Sequence, residues 1–250
     1  MNLRLGKHPA KRDKRNIKMA KILDTAKLPP IPDSWDVDKA LPFKVPEPEF
    51  CNVEWSCCVI SARAHQTLRF EGVEQGRALN ILDSQILDEY WREQGGDSHT
   101  KPDNGLVVLE SIKLWRSRGW LSKPYSIYAF AEINHRRKEQ VKAAMYLLSG
   151  VYGGVVLTQS GMDQIDRGEP WTITASPGQV VGGHALYWKA FTPEGITCIT
   201  WGREQFATWD WFYKFTDELY GVVDNRDRFL KTSPVDVGKL DKYLKAVVTA

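Results

Sequence analysis

A change of texture near residue 150 constrains this chain more than any other feature. Before it, apolar residues recur at helical spacing. After it, they come in β-branched and aromatic runs broken by Gly and Pro. Helices are predicted over Cys57–Phe70, Ile81–Gln94, Leu106–Arg118 and Lys138–Leu148, with Ser56 as the N-cap of the first. Strands are predicted over Val151–Thr158, Gly183–Phe191 and Gly195–Trp201, and Asp210–Tyr220 reads as a short helix or an irregular aromatic segment. Helices first and strands second imply an α+β chain of two unlike halves. With 250 residues, 42% of them hydrophobic, the chain can bury a substantial core. No stretch approaches 18 uninterrupted apolar residues, so no transmembrane helix and no membrane partner are expected.

The N-terminus differs from the rest. Met1–Pro30 holds nine Lys/Arg against two acids, a net +7, which leaves −4 for the remainder of a chain whose total is +3. Leu28-Pro29-Pro30-Ile31-Pro32, followed by Pro42, Pro46 and Pro48, holds the backbone extended. The expected organisation is an extended, basic, Pro-rich arm over 1–49, a folded domain over 50–230, and a C-terminal tail over 231–250. Within the domain, a helical lobe spans about 50–135 and a β lobe about 136–230. The arm suits contact with other protein subunits or a solvated tail. Nucleic acid is a weaker expectation, because no aromatic residue precedes Trp35 to stack on bases. No apolar h-region follows the basic residues, so no secretion signal is expected and the chain is placed in the cytoplasm of the producing cell. The cysteines, Cys51, Cys57, Cys58 and Cys198, are then expected to be reduced.

Cys57 follows Ser56 and falls in the first turn of the first predicted helix. Orphan N–H groups and the macrodipole there favour a thiolate. His184, in Gly182-Gly183-His184-Ala185, heads a predicted strand in the other half and could meet that helix end. Cys58 reads as core, and Cys51 and Cys198 as structural. A zinc site from Cys51, Cys57, Cys58 and a His lacks a paired C-x₂₋₄-C element, so no metal and no cofactor are expected. His65 lies about 12 Å along the same helix from Cys57, too far to pair with it, and reads as a surface or interface residue. His99 and His135 read as solvated. The aromatic run from Trp201 to Tyr220 reads as core, and Asp163, Asp166 and Glu169 as parts of a Gly/Pro loop.

These residues resemble the papain-like cysteine peptidases. That family carries a Gln upstream of a Ser-Cys-Trp-Ala-Phe-Ser run at a helix start. Here Ser56-Cys57-Cys58-Val59-Ile60-Ser61-Ala62 stands in register with it, with Cys58 at the Trp. The family's Gly-His-Ala block is similar to Gly183-His184-Ala185, and its Asn-Ser-Trp-Gly block to Ile199-Thr200-Trp201-Gly202. The resemblance spans about 50–224. It implies a two-lobed papain-like fold, with a helical left lobe and an antiparallel β right lobe, preceded by the extended basic arm. It further implies Cys57 as nucleophile, His184 as its proton partner and a peptide or other amide as substrate.

Two positions depart from the family. Its His-orienting Asn falls at Ile199, which cannot hydrogen-bond an imidazole. Its oxyanion Gln falls at Cys51, with Asn52 one residue later as the substitute donor. The Thr200-Trp201-Gly202 block, the later Asp217-Glu218-Leu219-Tyr220 and the opening Leu5-Gly6-Lys7-His8-Pro9 resemble a divergent branch encoded by tailed bacteriophages. That resemblance implies a virion structural or assembly component with doubtful catalysis. The alternative is an active cysteine peptidase or cell-wall amidase. Which of Cys57 and Cys58 faces the cleft stays open.

Overall fold

The computed structural model describes residues 3–23, 27–96, 102–121, 125–224 and 235–248. Its left half is built on three helices, α2 (Cys58–Gln75), α3 (Asp83–Glu93) and α4 (Val108–Arg118). The helix α2 is buried all round from Cys58 to Gly72. That is why it can hold Arg63 and Arg69 only with charged partners. Arg63 meets Glu89 and Glu93, and Arg69 meets Asp38 and Glu47. At its end, Gly76 adopts a left-handed φ of 61° and returns its N–H to the Gly72 carbonyl, closing the helix.

The right half is a seven-stranded antiparallel sheet in the order β2 (Ala129–Glu132), β7 (Thr216–Val223), β3 (Val151–Thr158), β4 (Val180–Phe191), β5 (Gly195–Thr200), β6 (Arg203–Thr208), with β1 (Trp35–Asp36) added beside β4. Helices α1 (Met19–Ile22), α5 (Lys138–Leu147), α6 (Gln159–Asp166) and α7 (Trp209–Phe215) pack in this half, joined by a C-terminal helix. Both faces of the sheet are covered. Leu186 and Trp188 of β4 enter one core with Val155, Trp171 and Trp211. Ala185 and Tyr187 alternate into the other, with Tyr152, Cys58 and Ile60. Two-sided burial explains the continuous apolar runs in these strands.

The helices and strands expected from periodicity are present to within a few residues, and the differences have local causes. Ser56 does not cap α2. Its Oγ and N–H both turn to Asp103, and Cys57 takes the cap position with no side-chain cap bond. Asp163 and Asp166 lie on α6 rather than in a loop. The segment 210–220 divides into helix α7 and strand β7, and Trp209, Trp211, Phe212 and Tyr220 are core. His65 is buried, not at the surface, because α2 has no solvent face there. Its ring packs 4.9 Å from that of Phe50. His99 lies outside the described residues. Between 231 and 250 the chain forms a helix, α8 (Val237–Val248), with Leu240 buried in the right-hand core.

The described residues of the segments 3–23 and 27–49 lie against the body. Leu3, Ile17, Met19 and Ile22 enter one core and Val45 the other. The cations at Lys11, Arg12, Lys14 and Arg15 stay exposed. No helix is long and apolar enough to cross a membrane among the described residues.

Candidate active site

Helix α2 begins where the two halves meet, and its two leading thiols point to different neighbours. Cys57 Sγ lies 3.4 Å from the Phe50 carbonyl and 3.6 Å from Ser61 Oγ, inside the left half. Cys58, the first residue of the helix, accepts the N–H of Ala185 at 3.4 Å, so its sulfur lies against the strand of the right half that carries His184. The Gly6 N–H also faces this sulfur. Both thiols are fully buried. Burial pushes each pKa up, with Ser61 opposing the rise at Cys57 and the Ala185 and Gly6 N–H groups opposing it at Cys58.

His184 Nε2 stands 2.6 Å from Thr200 Oγ1. Its ring stacks on Trp201 with centroids 4.0 Å apart. The other ring nitrogen, Nδ1, is buried with no hydrogen-bond partner among the described residues. Ile199 does not serve the imidazole and instead packs into the left-hand core. Its neighbour Thr200 supplies the missing bond where β5 ends, at the turn through Trp201 (φ 46°) and Gly202 (φ 73°). Thr200 was missed because it lies one position from the family's Asn. A hydroxyl beside the Trp-Gly pair was the available signal.

Asn52 is 2% exposed, and its Oδ1 has no partner among the described residues. Its own N–H goes to the Glu49 carbonyl, in a turn where Phe50 and Cys51 take left-handed φ values of 51° and 58°. Burial, with Asp83 nearby, pushes Cys51 up to about 12.

Between the halves runs the N-terminal segment Leu5–His8, which pairs with both through isolated β-bridges at Lys7. Lys7 N–H donates to the Gly183 carbonyl, Leu106 N–H donates to the Gly6 carbonyl, and His8 N–H donates to the Leu106 carbonyl. Gly6 is pressed so closely on the start of α2 that a Cβ would lie 1.8 Å from the Ser56 carbonyl oxygen. The Lys7 side chain is wholly buried. Its Nζ lies 2.7 Å from Asp217 Oδ2 and 3.2 Å from Glu218 Oε1. Gly6 thus presents an N–H, not a carbonyl carbon, to the Cys58 sulfur.

Burial, together with the Lys7 cation, pushes His184 down to about 3. With Cys58 pushed up, both groups are neutral at neutral pH. Elsewhere, the carboxylates of Asp38, Glu47 and Glu204 lie close enough together to hold a cation. Arg69 and Lys189 already occupy that cluster as ion-pair partners.

No protein-family model and no curated protein matches the sequence. Solved structures do. Xylellain, a cysteine protease from Xylella fastidiosa, superposes with a TM-score of 0.72 at 13% identity, covering 90% of this chain and 97% of that one. The cysteine protease and lectin-like domains of Cwp84 from Clostridium difficile give 0.59 at 10% identity, covering 88% and 55%. Procathepsin B from Trypanosoma congolense gives 0.57 at 10% identity, covering 89% and 87%. At such identities the likeness is one of fold. A helix-led half joined across a cleft to an antiparallel sheet is the architecture of the papain-like cysteine proteases, and this chain has that fold.

Proposed function

We propose that the chain is a cysteine hydrolase of peptide or related amide bonds, with Cys58 as nucleophile and His184 as proton partner. The N-terminal segment Leu5–His8 holds the enzyme shut. The reading is carried by the Ala185 N–H contact to Cys58 Sγ, which sets that thiol, rather than Cys57, beside the strand of His184. Moving the nucleophile by one residue also moves the family spacing by one. Six residues before Cys57 is Cys51, and six before Cys58 is Asn52. Asn52 and the Cys58 N–H are then the oxyanion donors. Once the segment leaves, water and the helix macrodipole favour the Cys58 thiolate, and loss of the Lys7 charge favours the imidazolium. The thiolate attacks the acyl carbon. His184, oriented by Thr200, delivers its proton to the leaving amine, and water then hydrolyses the thioester. Two of the similar structures, procathepsin B and procathepsin L 3 of Tenebrio molitor, are named as proenzymes.

A second reading, a phage virion or assembly component with a retired site, draws on the same occlusion: the cleft is filled by the chain's own backbone and the two site groups are neutral. Turnover separates the readings. The full-length Gly6→Val variant, whose side chain cannot fit against Ser56, is expected to hydrolyse unstructured peptides or peptide-bearing cell-wall fragments, and Cys58→Ala or His184→Ala is expected to abolish that activity. An inert Gly6→Val chain that binds a virion protein through residues 1–49 supports the second reading.

A further inference from the structure

We propose that the slot filled by Lys7 is the cleft's recognition pocket for a basic side chain, so that the extended peptides this site takes carry a lysine there. The slot belongs to the body, not to the arm. Glu218 lies on β7 directly opposite Gly154 of β3, and Tyr220 Oη donates to Glu218 Oε2 at 3.1 Å. Asp217 completes the end of the slot. The stem passes over Gly154, where a Cβ would lie 1.8 Å from Lys7 Cε and 2.4 Å from Cδ. Any side chain at 154 would close the passage.

An ammonium buried this completely needs anionic partners, and the body supplies two, with the His8 carbonyl 2.9 Å from Nζ as a third acceptor. Lys7 is the only cation in an ion pair with Asp217 or Glu218 among the described residues, and His135 is the other basic neighbour of Asp217. When the segment leaves, two carboxylates face an open slot, and a long cationic side chain restores their partner. The backbone donors and acceptors that hold the segment, Leu106 and Gly183, equally serve any extended peptide. Calling the occupant a substrate rests on the hydrolase reading; the cation selectivity of the slot does not.

The test uses the full-length Gly6→Val chain and two synthetic hexapeptides. One copies residues 3–8 (LRLGKH), and the other has norleucine in place of its lysine. The readout is protection of Cys58 from iodoacetamide, which requires no turnover. The lysine peptide is expected to protect at about tenfold lower concentration, a difference on the order of 1.4 kcal/mol. The Asp217→Asn/Glu218→Gln double variant should bring the two peptides to within about threefold. Equal protection by both peptides in the Gly6→Val chain would overturn the proposal. Lysine-selective protection without hydrolysis of any peptide would uphold the pocket and refute the hydrolase reading.

A second measurement covers the case in which Gly6→Val fails to fold. The full-length Lys7→Ala chain is melted with n-butylammonium or n-butanol. A saturable rise in Tm with the amine alone, lost when Asp217→Asn/Glu218→Gln is added, supports the pocket. An equal response to amine and alcohol contradicts it.

Discussion

His184 Nε2 and Thr200 Oγ1 stand 2.6 Å apart in a buried site, and in the proposed hydrolase this threonine at the strand end is the group that orients the imidazole. Thr200→Val removes the hydroxyl at nearly constant volume. In the Gly6→Val background it is expected to lower kcat about tenfold, the worth of one hydrogen bond on the order of 1–2 kcal/mol, with KM changed little. Thr200→Ser should recover most of the loss. Steady-state kinetics on one peptide substrate checks this, and an unchanged kcat in Thr200→Val would remove the assigned role.

The His184 proton reports whether the cleft is shut. With the segment seated, burial and Lys7 hold its pKa at about 3. Because the pKa is depressed, the closed state loses stability as pH falls from the ordinary imidazole value near 6.5 towards 3. An NMR titration of the His184 ring should show no protonation above pH 4 in the natural chain. In Gly6→Val it should show a midpoint at least one unit higher.

The sequence shows the architecture more readily than the site. The four main helices and the strands at 151, 183 and 195 follow from periodicity, because each buries a defined face or both faces. The strand β7 is hidden behind the aromatic run of α7. Its burial comes from pairing with β2 and β3, which lie far from it in sequence. His184 and the start of α2 are legible from Gly-His-Ala and Ser-Cys-Cys. Spacing alone cannot decide between Cys57 and Cys58; the decision lies in how α2 is turned against β4. Lys7 gives no local signal, because its meaning depends on Asp217 and Glu218, more than 200 residues away.

Glu218 makes the closed chain favour mildly acidic conditions. Burial pushes its pKa up to about 7 from an ordinary 4.5, against the opposing pull of Lys7. A raised carboxyl pKa contributes stability that is complete below about 4.5 and is lost as pH rises through 7. Between pH 5 and pH 8, Tm should therefore fall further in the natural chain than in Glu218→Gln, which cannot titrate. Parallel Tm profiles would show that Glu218 is not buried as described.

Arg63 is the structural pin of the helical half. Fully buried in α2, it holds Glu89, Glu93 and the Ser111 carbonyl, with the rings of Trp115 and Trp120 within 6 Å of its guanidinium. Arg63→Ala leaves two carboxylates with weakened compensation and should cost about 3–5 kcal/mol, a large share of a typical 5–15 kcal/mol total. Urea unfolding of the two full-length chains measures this, and a loss below about 1 kcal/mol would contradict it.

Thiol reactivity, read residue by residue, distinguishes an occluded Cys58 nucleophile from an inert buried thiol. The natural chain, Gly6→Val and Gly6→Val/His184→Ala are labelled with iodoacetamide across pH, and fragment-ion mass spectrometry separates Cys57 from Cys58. Both thiols are expected to label slowly in the natural chain. In Gly6→Val, Cys58 alone should label rapidly, remain reactive below pH 7, and lose that reactivity when His184 is replaced. Rapid labelling of Cys57 in place of Cys58, or no change on substitution of Gly6, would contradict an occluded Cys58 nucleophile.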